Sequence, residues 1–233
     1  MKNKTKKIIT FSLWGNSKIY NYGAVENAII AKDLYPDWEC WFYLGKGVLK
    51  NVKQYLEKMP NVKIIDKSAE ENSLGNMLWR FEPVFKTKHT VIIRDCDSRL
   101  NMREKLAVDE WLNSNKDFHI MRDNKFHYYR ILGGMWGARN GSLMEFKDIY
   151  KKFISFNKNV YNYDQDFLRI LYHWKIGENA LVHASFNKHE KTARDFPKSN
   201  YKGFVGEIIE NCSIAAGLFG DKEKICKYPR TSK

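Results

Sequence analysis

The chain has 233 residues, 43% of them apolar and 15% aromatic, which suffices for one good-sized core and excludes a disordered chain. Lys and Arg outnumber Asp and Glu by 40 to 27, a net +13 that favours anionic partners: nucleic acid, an anionic membrane surface touched peripherally, or phosphorylated small molecules. No run of apolar residues is long enough for a spanning helix, and four widely spaced cysteines (Cys40, Cys96, Cys212, Cys226) without a Cys-x-x-Cys exclude a zinc ribbon or redox motif and suit a reducing, cytoplasmic setting.

The basic start, residues 1–7, precedes a short apolar run. Gly15-Asn16-Ser17-Lys18 follows without a small-residue cleavage site, so residues 7–14 are predicted as a first strand and not a leader. Residues 17–23 read as a polar, aromatic loop, and residues 24–34 as a helix stopped by Pro36. A second strand over 38–44, a helix over 48–59 ended by Pro60 and a strand over 62–65 continue the alternation that predicts a parallel α/β sheet. Residues 76–85 form a short apolar helix with a single Arg80, which either reaches a phosphate or carboxylate or lays its stem along the helix.

Residues 90–93, Thr-Val-Ile-Ile, are β-branched throughout and read as a buried central strand. The run stops at Asp95-Cys96-Asp97, so two carboxylates crowd the carboxyl end of a strand, where ligands sit in open α/β sheets. Such a pair repels unless a cation of the Mg²⁺ or Mn²⁺ type joins it. The plain alternative is an Asp- and Ser-containing turn.

A helix over 103–112 and a strand over 117–121 follow, then a polar, aromatic stretch from Arg122 to Arg130 that reads as a loop over a pocket. Gly133-Gly134-Met135-Trp136-Gly137 predicts a strand or turn that something approaches closely. A helix is predicted over 143–153. Another opens near Tyr161 with Asp164 at the N-cap and an apolar stripe at Phe167, Leu168 and Leu171. Residues 180–185 are a last long strand carrying His183, a position more often held by a hydrogen-bonded core histidine than by a ligand. Residues 203–206 read as a short late strand.

With these motifs in order, the sequence resembles the small GT-A-type glycosyltransferase domains of bacterial glycan-tailoring enzymes and of large DNA viruses that decorate a capsid glycan. The resemblance rests on Phe11-Ser12-Leu13-Trp14-Gly15, Trp79-Arg80-Phe81, Arg94 to Arg99, His119 to Asp123, Gly133 to Gly137, Asp164-Gln165-Asp166 and Phe204-Val205-Gly206. It implies a GT-A-like, Rossmann-related α/β fold: one domain over 1–233, with a mixed, mainly parallel sheet flanked by helices, a core over about 7–206 and a basic tail over 207–233. It also implies transfer of a hexose or deoxyhexose from a UDP-linked donor to a glycan or glycoprotein, with retention of configuration and with Mn²⁺ or Mg²⁺.

On the same resemblance, Phe11, Ser12, Leu13 and Trp14 hold the nucleobase and ribose. Arg80, Asp95, Cys96 and Asp97 hold the diphosphate. Asp95, Asp97 and the late His183 hold the metal, with Asp97 the direct ligand. Asp123, His127 and Asp164 lie on the sugar and acceptor side, Asp123 and Asp164 as candidate bases. Competing readings are a basic nucleic-acid-binding protein or metal-dependent nuclease, in which Tyr128 and Tyr129 stack on bases and Asp123, Asp164 and Asp166 add carboxylates, and a nucleotide-sugar hydrolase or nucleotidyltransferase. The ordered motif set favours the transferase, with no nucleic-acid partner.

Overall fold

The computed structural model describes residues 5–156 and 159–228. The ends of the basic start and of the basic tail, residues 1–4 and 229–233, lie outside the described residues. Apolar strands build the centre. β1 (Lys7–Leu13), β2 (Trp38–Leu44), β3 (Val62–Asp66), β4 (Thr90–Ile93), β5 (Phe118–Arg122), β6 (Trp136–Ala138) and β7 (Ala180–Ala184) form one sheet in the order β3-β2-β1-β4-β6-β5-β7. Only β6 runs antiparallel to its neighbours. The architecture is therefore α/β with a mainly parallel sheet, as the strand–helix alternation leads one to expect.

Both faces of the sheet are covered. β4 shows how: Ile92 packs into the core with Phe11, Val25, Phe42 and Trp111, while Val91 and Ile93 pack into the core with Phe81, Phe85, Trp136 and Phe167. The alternation of side chains along a strand makes this division. α1 (Lys18–Leu34), α2 (Lys50–Glu57), α4 (Met102–Leu112) and α7 (Ser213–Leu218) contribute to the first core; α3 (Glu82–Lys86), α5 (Lys147–Phe156) and α6 (Tyr163–Leu171) to the second. No helix among the described residues is long and apolar enough to cross a membrane.

Several boundaries differ from the sequence reading. α1 begins at Lys18, six residues before the predicted start. Its first turns looked like a loop because they are polar, yet Asn21 is fully buried: its amide donates to Gly15 O and Ser17 O and accepts the Leu49 N–H. The Arg80 segment is a 3-10 helix, Leu74–Phe81, that runs into α3. α5 starts at Lys147 after a turn at Met144–Phe146. Residues 203–206 are not a strand. Gly206 has φ +83°, the Glu207 N–H bonds Phe204 O at 3.2 Å, and the chain turns back.

Candidate active site

β1 leads by way of α1 to β2 on one side, and β4 joins its other edge. The direction of winding reverses between them, so the carboxyl ends of β1 and β4 flank a crevice of the kind that takes ligands in open α/β sheets. The Arg94 N–H donates to Thr10 O at 3.0 Å, and the next residues, Asp95 to Asp97, turn across this end.

α1 fixes that turn from below. Asn27 donates to Ser98 O at 2.8 Å and accepts the Leu100 N–H at 2.9 Å. Glu26 pairs with Arg99 at 2.8 Å, and Arg99 also donates to Cys96 O at 3.2 Å. Gly23 lets the backbones meet, since a Cβ there would overlap Cys96 O. From above, the Ile209 N–H donates to Asp97 O at 2.9 Å. Cys96 is buried with its thiol 3.6 Å from Ser12 O.

The two carboxylates are unequal. Asp95 is 42% exposed at its side chain and accepts from Arg80 Nη1. Asp97 is almost buried, and among the described residues no side-chain donor is bonded to its carboxylate. Burial first, then the neighbouring Asp95, push its pKa up to about 7 against the pull of Arg80 and Arg99. A buried carboxylate that only a backbone N–H serves, beside an exposed one, gives a pair of hard oxygen donors, which suits Mg²⁺ or Mn²⁺. No group of three His, Cys, Asp or Glu side chains gathers as a ligand set among the described residues.

Arg80 is buried and forks. Nη1 reaches Asp95, and Nη2 lies 3.2 Å from Asp164 Oδ2, itself 4% exposed. The Arg80 N–H bonds Ser12 Oγ at 3.1 Å, which ties the fork to the end of β1. Asp164 is not the N-cap: Asn162 holds that position at φ 63°, and Asp164 lies in the first turn of α6. Burial raises its pKa, with Arg80 opposing. Next to it, Gln165, in the orientation that satisfies its partners, donates to Ile131 O at 2.6 Å and accepts the Gly133 N–H at 2.8 Å. The glycine pair is the feature sequence reasoning only half found. A Cβ on Gly133 would overlap Asp164 Oδ2, and one on Gly134 would overlap Asp95 Oδ2.

The structure thus brings together Ser12, Arg80, Asp95, Asp97 and Asp164. Trp14 borders the same crevice, half-buried and edge-on to Trp79 at 6.1 Å. Phe11 and Leu13 do not face it. They are buried in the core, Phe11 stacked on Phe42 at 4.7 Å, because strand alternation sets them on the face of Ile9.

Four further expectations fall elsewhere. His183 is fully buried on β7, with Nδ1 2.9 Å from His119 Nε2 and Nε2 3.0 Å from Glu110 Oε2. Both nitrogens are engaged, burial lowers its pKa, and it is a core histidine away from the aspartates. Asp123 is buried and saturated: it pairs with Arg103 at 2.6 Å and accepts from Ser185 Oγ and from the Val205 N–H. His127 Nδ1 accepts the Asp123 N–H at 3.0 Å, and burial lowers its pKa to about 4. Asp166 is exposed beside Arg169. The extra carboxylates that a two-metal nuclease needs are therefore ion-paired or turned away.

No protein-family profile matches the chain, and no curated protein does. Solved structures of similar shape include the bifunctional glycosyltransferase WbbM (12% identity, 77% of this chain and 39% of that one, TM-score 0.48). They also include the glycosyltransferase GlyE of Streptococcus pneumoniae (15% identity, 76% and 45%, TM-score 0.47). A third is galactosyltransferase LgtC bound to donor and acceptor sugar analogues (9% identity, 96% and 98%, TM-score 0.49). The chain spans less than half the length of WbbM and of GlyE.

Proposed function

We propose that this chain is a GT-A-type glycosyltransferase that moves a hexose or deoxyhexose from a UDP-linked donor to a glycan or glycoprotein, with Mn²⁺ or Mg²⁺. The observation that carries the reading is the juxtaposition, in the β1–β4 crevice, of the buried Asp97, whose carboxylate no side chain serves, with the Asp95–Arg80–Asp164 fork. Ser12 and Trp14 border the nucleotide side, and Asp164 faces the sugar. Asp95 and Asp97 would hold the cation, which when bound would supply positive charge against the departing diphosphate.

In the reaction the bond from sugar C1 to the diphosphate oxygen breaks and a bond from an acceptor hydroxyl oxygen to C1 forms. Inversion requires a free base near the acceptor. Asp95 and Asp164 are each bonded to Arg80, and Asp123 is bonded to Arg103, so none is a free carboxylate. We read the transfer as retaining, with the departing phosphate oxygen taking the acceptor proton. Asp164 then orients the sugar, and Asp123 acts as an anchor for residues 204–206. Four free thiols suit a reducing compartment such as the cytoplasm, and the +13 charge suits peripheral contact with an anionic membrane.

The test is incubation with a panel of UDP- and GDP-sugars, with Mn²⁺ or with a chelator. Release of nucleoside diphosphate that needs the metal supports the reading. Lack of release and of binding for every nucleotide sugar overturns it.

A further inference from the structure

The loop from Asp123 to Arg130 exposes a group of large rings on a backbone that is held rigidly. Phe126 is 65% exposed, Tyr128 62% and Tyr129 48%, and Tyr161, next to the Asn162 that bonds Tyr129, is 70% exposed. Phe126 and Tyr128 meet edge to face at 6.2 Å. A loose surface loop would bury such rings or move them. Here the backbone is pinned along its length. Asn187 donates to Lys125 O at 3.1 Å and to His127 O at 3.0 Å, Arg122 donates to Arg130 O at 2.6 Å, and His189 Nε2 lies 3.1 Å from Tyr128 O. Contiguous apolar surface held out in water on a preordered loop marks a binding surface.

The same two loops that carry these rings also carry the crevice. Residues 131–134 follow directly and include Gly133 and Gly134, against which Asp164 and Asp95 pack. Asn162, between Tyr161 and the start of α6, donates to Tyr129 Oη at 3.1 Å, and Asp164 follows it by two residues. The aromatic rim is thus continuous with the fork at Arg80.

Most cations nearby are engaged with protein groups. Arg130 lies over the Tyr172 ring at 5.1 Å and bonds its hydroxyl, Arg122 pairs with Glu190, and Lys188 pairs with Asp195 at 2.7 Å, while Lys125 lies over the Phe126 ring at 5.1 Å without an ion pair among the described residues. A phosphate backbone needs free cations. A saccharide needs ring faces for its C–H surfaces and amide or hydroxyl partners for its edges, and rings and Asn162 supply both.

We propose that Phe126, Tyr128, Tyr129 and Tyr161 form the acceptor platform, and that the acceptor is an oligosaccharide chain of more than one sugar unit, stacked along the rim toward Asp164. This rests on the transferase reading. A single sugar at the crevice would leave Phe126 and Tyr128, at the far end of the loop, without a role.

The test uses the whole chain on an array of immobilised mono-, di- and oligosaccharides, with single-stranded DNA as a further probe. Wild type, the Phe126→Ala/Tyr128→Ala variant and a Trp174→Ala control are compared, Trp174 being an exposed ring beside Phe146 and outside the rim. The expected result is retention on oligosaccharides in preference to monosaccharides, weakened about tenfold or more in the double variant and unchanged in the control. Thermal melting with UDP and Mn²⁺ is measured alongside. If oligosaccharides bind through the rim but UDP with Mn²⁺ gives no shift, the platform stands and the transferase reading fails. Retention of no saccharide, equal retention by the double variant, or rim-dependent binding of single-stranded DNA alone overturns the platform.

Discussion

Gly134 has no room for a side chain beside Asp95: a Cβ there would overlap the Asp95 carboxylate and lie 3.0 Å from its backbone nitrogen. Gly134→Ala must therefore push Asp95 out of line. The expected outcome is a loss of about 1–3 kcal/mol in stability from overpacking, and metal-dependent UDP binding weakened about tenfold or more. Melting curves with and without ligand separate the two effects. Unchanged UDP affinity in a variant that has lost stability would remove Asp95 from the binding site.

Arg80 and Asp164 are both buried, so truncating one strands the other. Arg80→Met leaves Asp164 without its cation at 4% exposure and is expected to cost about 3–5 kcal/mol. Adding Asp164→Asn to that variant is expected to recover part of the loss, because the stranded charge is gone. Urea denaturation of the two single variants and the double variant measures the coupling.

Asp97 gives a pH signature with a definite sign. Its folded pKa, about 7, lies above the ordinary carboxylate value, so the folded chain holds a proton that the unfolded chain releases. Without metal, its contribution to stability is present below the ordinary carboxylate pKa and declines as pH rises through the window up to about 7. The charged groups acting on it are Asp95, Arg80 and Arg99, and the Tyr20, Tyr161 and Cys96 side chains also lie within its field. Asp97→Asn is expected to flatten this decline and to be the more stable protein at neutral pH in the absence of metal. Cation affinity in the wild type is expected to rise with pH through the same window, which calorimetric titration with Mn²⁺ at several pH values reads directly.

Asp123 serves as an anchor, and Asp123→Asn separates that role from a base. The substitution weakens the pair with Arg103 and the hold on the Val205 N–H. A stability loss of about 1–3 kcal/mol is expected, with metal-dependent UDP binding retained. Loss of turnover by several orders of magnitude in a stable variant would restore the base assignment.

The parts of this arrangement that lie within one stretch of chain were legible in the sequence. A β-branched run ending in two aspartates marks β4 and its turn, and the alternation of strands with Pro-stopped helices marks the parallel half of the sheet. At β1 the motif assigned Phe11 to Trp14 together to the nucleotide, whereas strand alternation separates Phe11 and Leu13, which lie in the core with Ile9, from Ser12 on the other face. What remained hidden depends on partners distant in sequence. The first turns of α1 are polar because Asn21, Glu26 and Asn27 are spent on Leu49, Arg99 and Ser98. His183 is explained by His119, 64 positions away, and Asp164 by Arg80, 84 positions away. No local pattern carries those pairings, and tertiary contact overrides the loop or cap reading that each residue invites.

The central claim is that Asp97 waits for a cation that arrives with a diphosphate. Electron paramagnetic resonance of Mn²⁺ reads it most directly, because free and bound ions are counted in the same sample. The account predicts that UDP sharply increases Mn²⁺ bound to the wild-type chain, and that Asp97→Asn, while still folded, does not show the increase. Equal UDP-dependent Mn²⁺ binding in the wild type and in Asp97→Asn would contradict it.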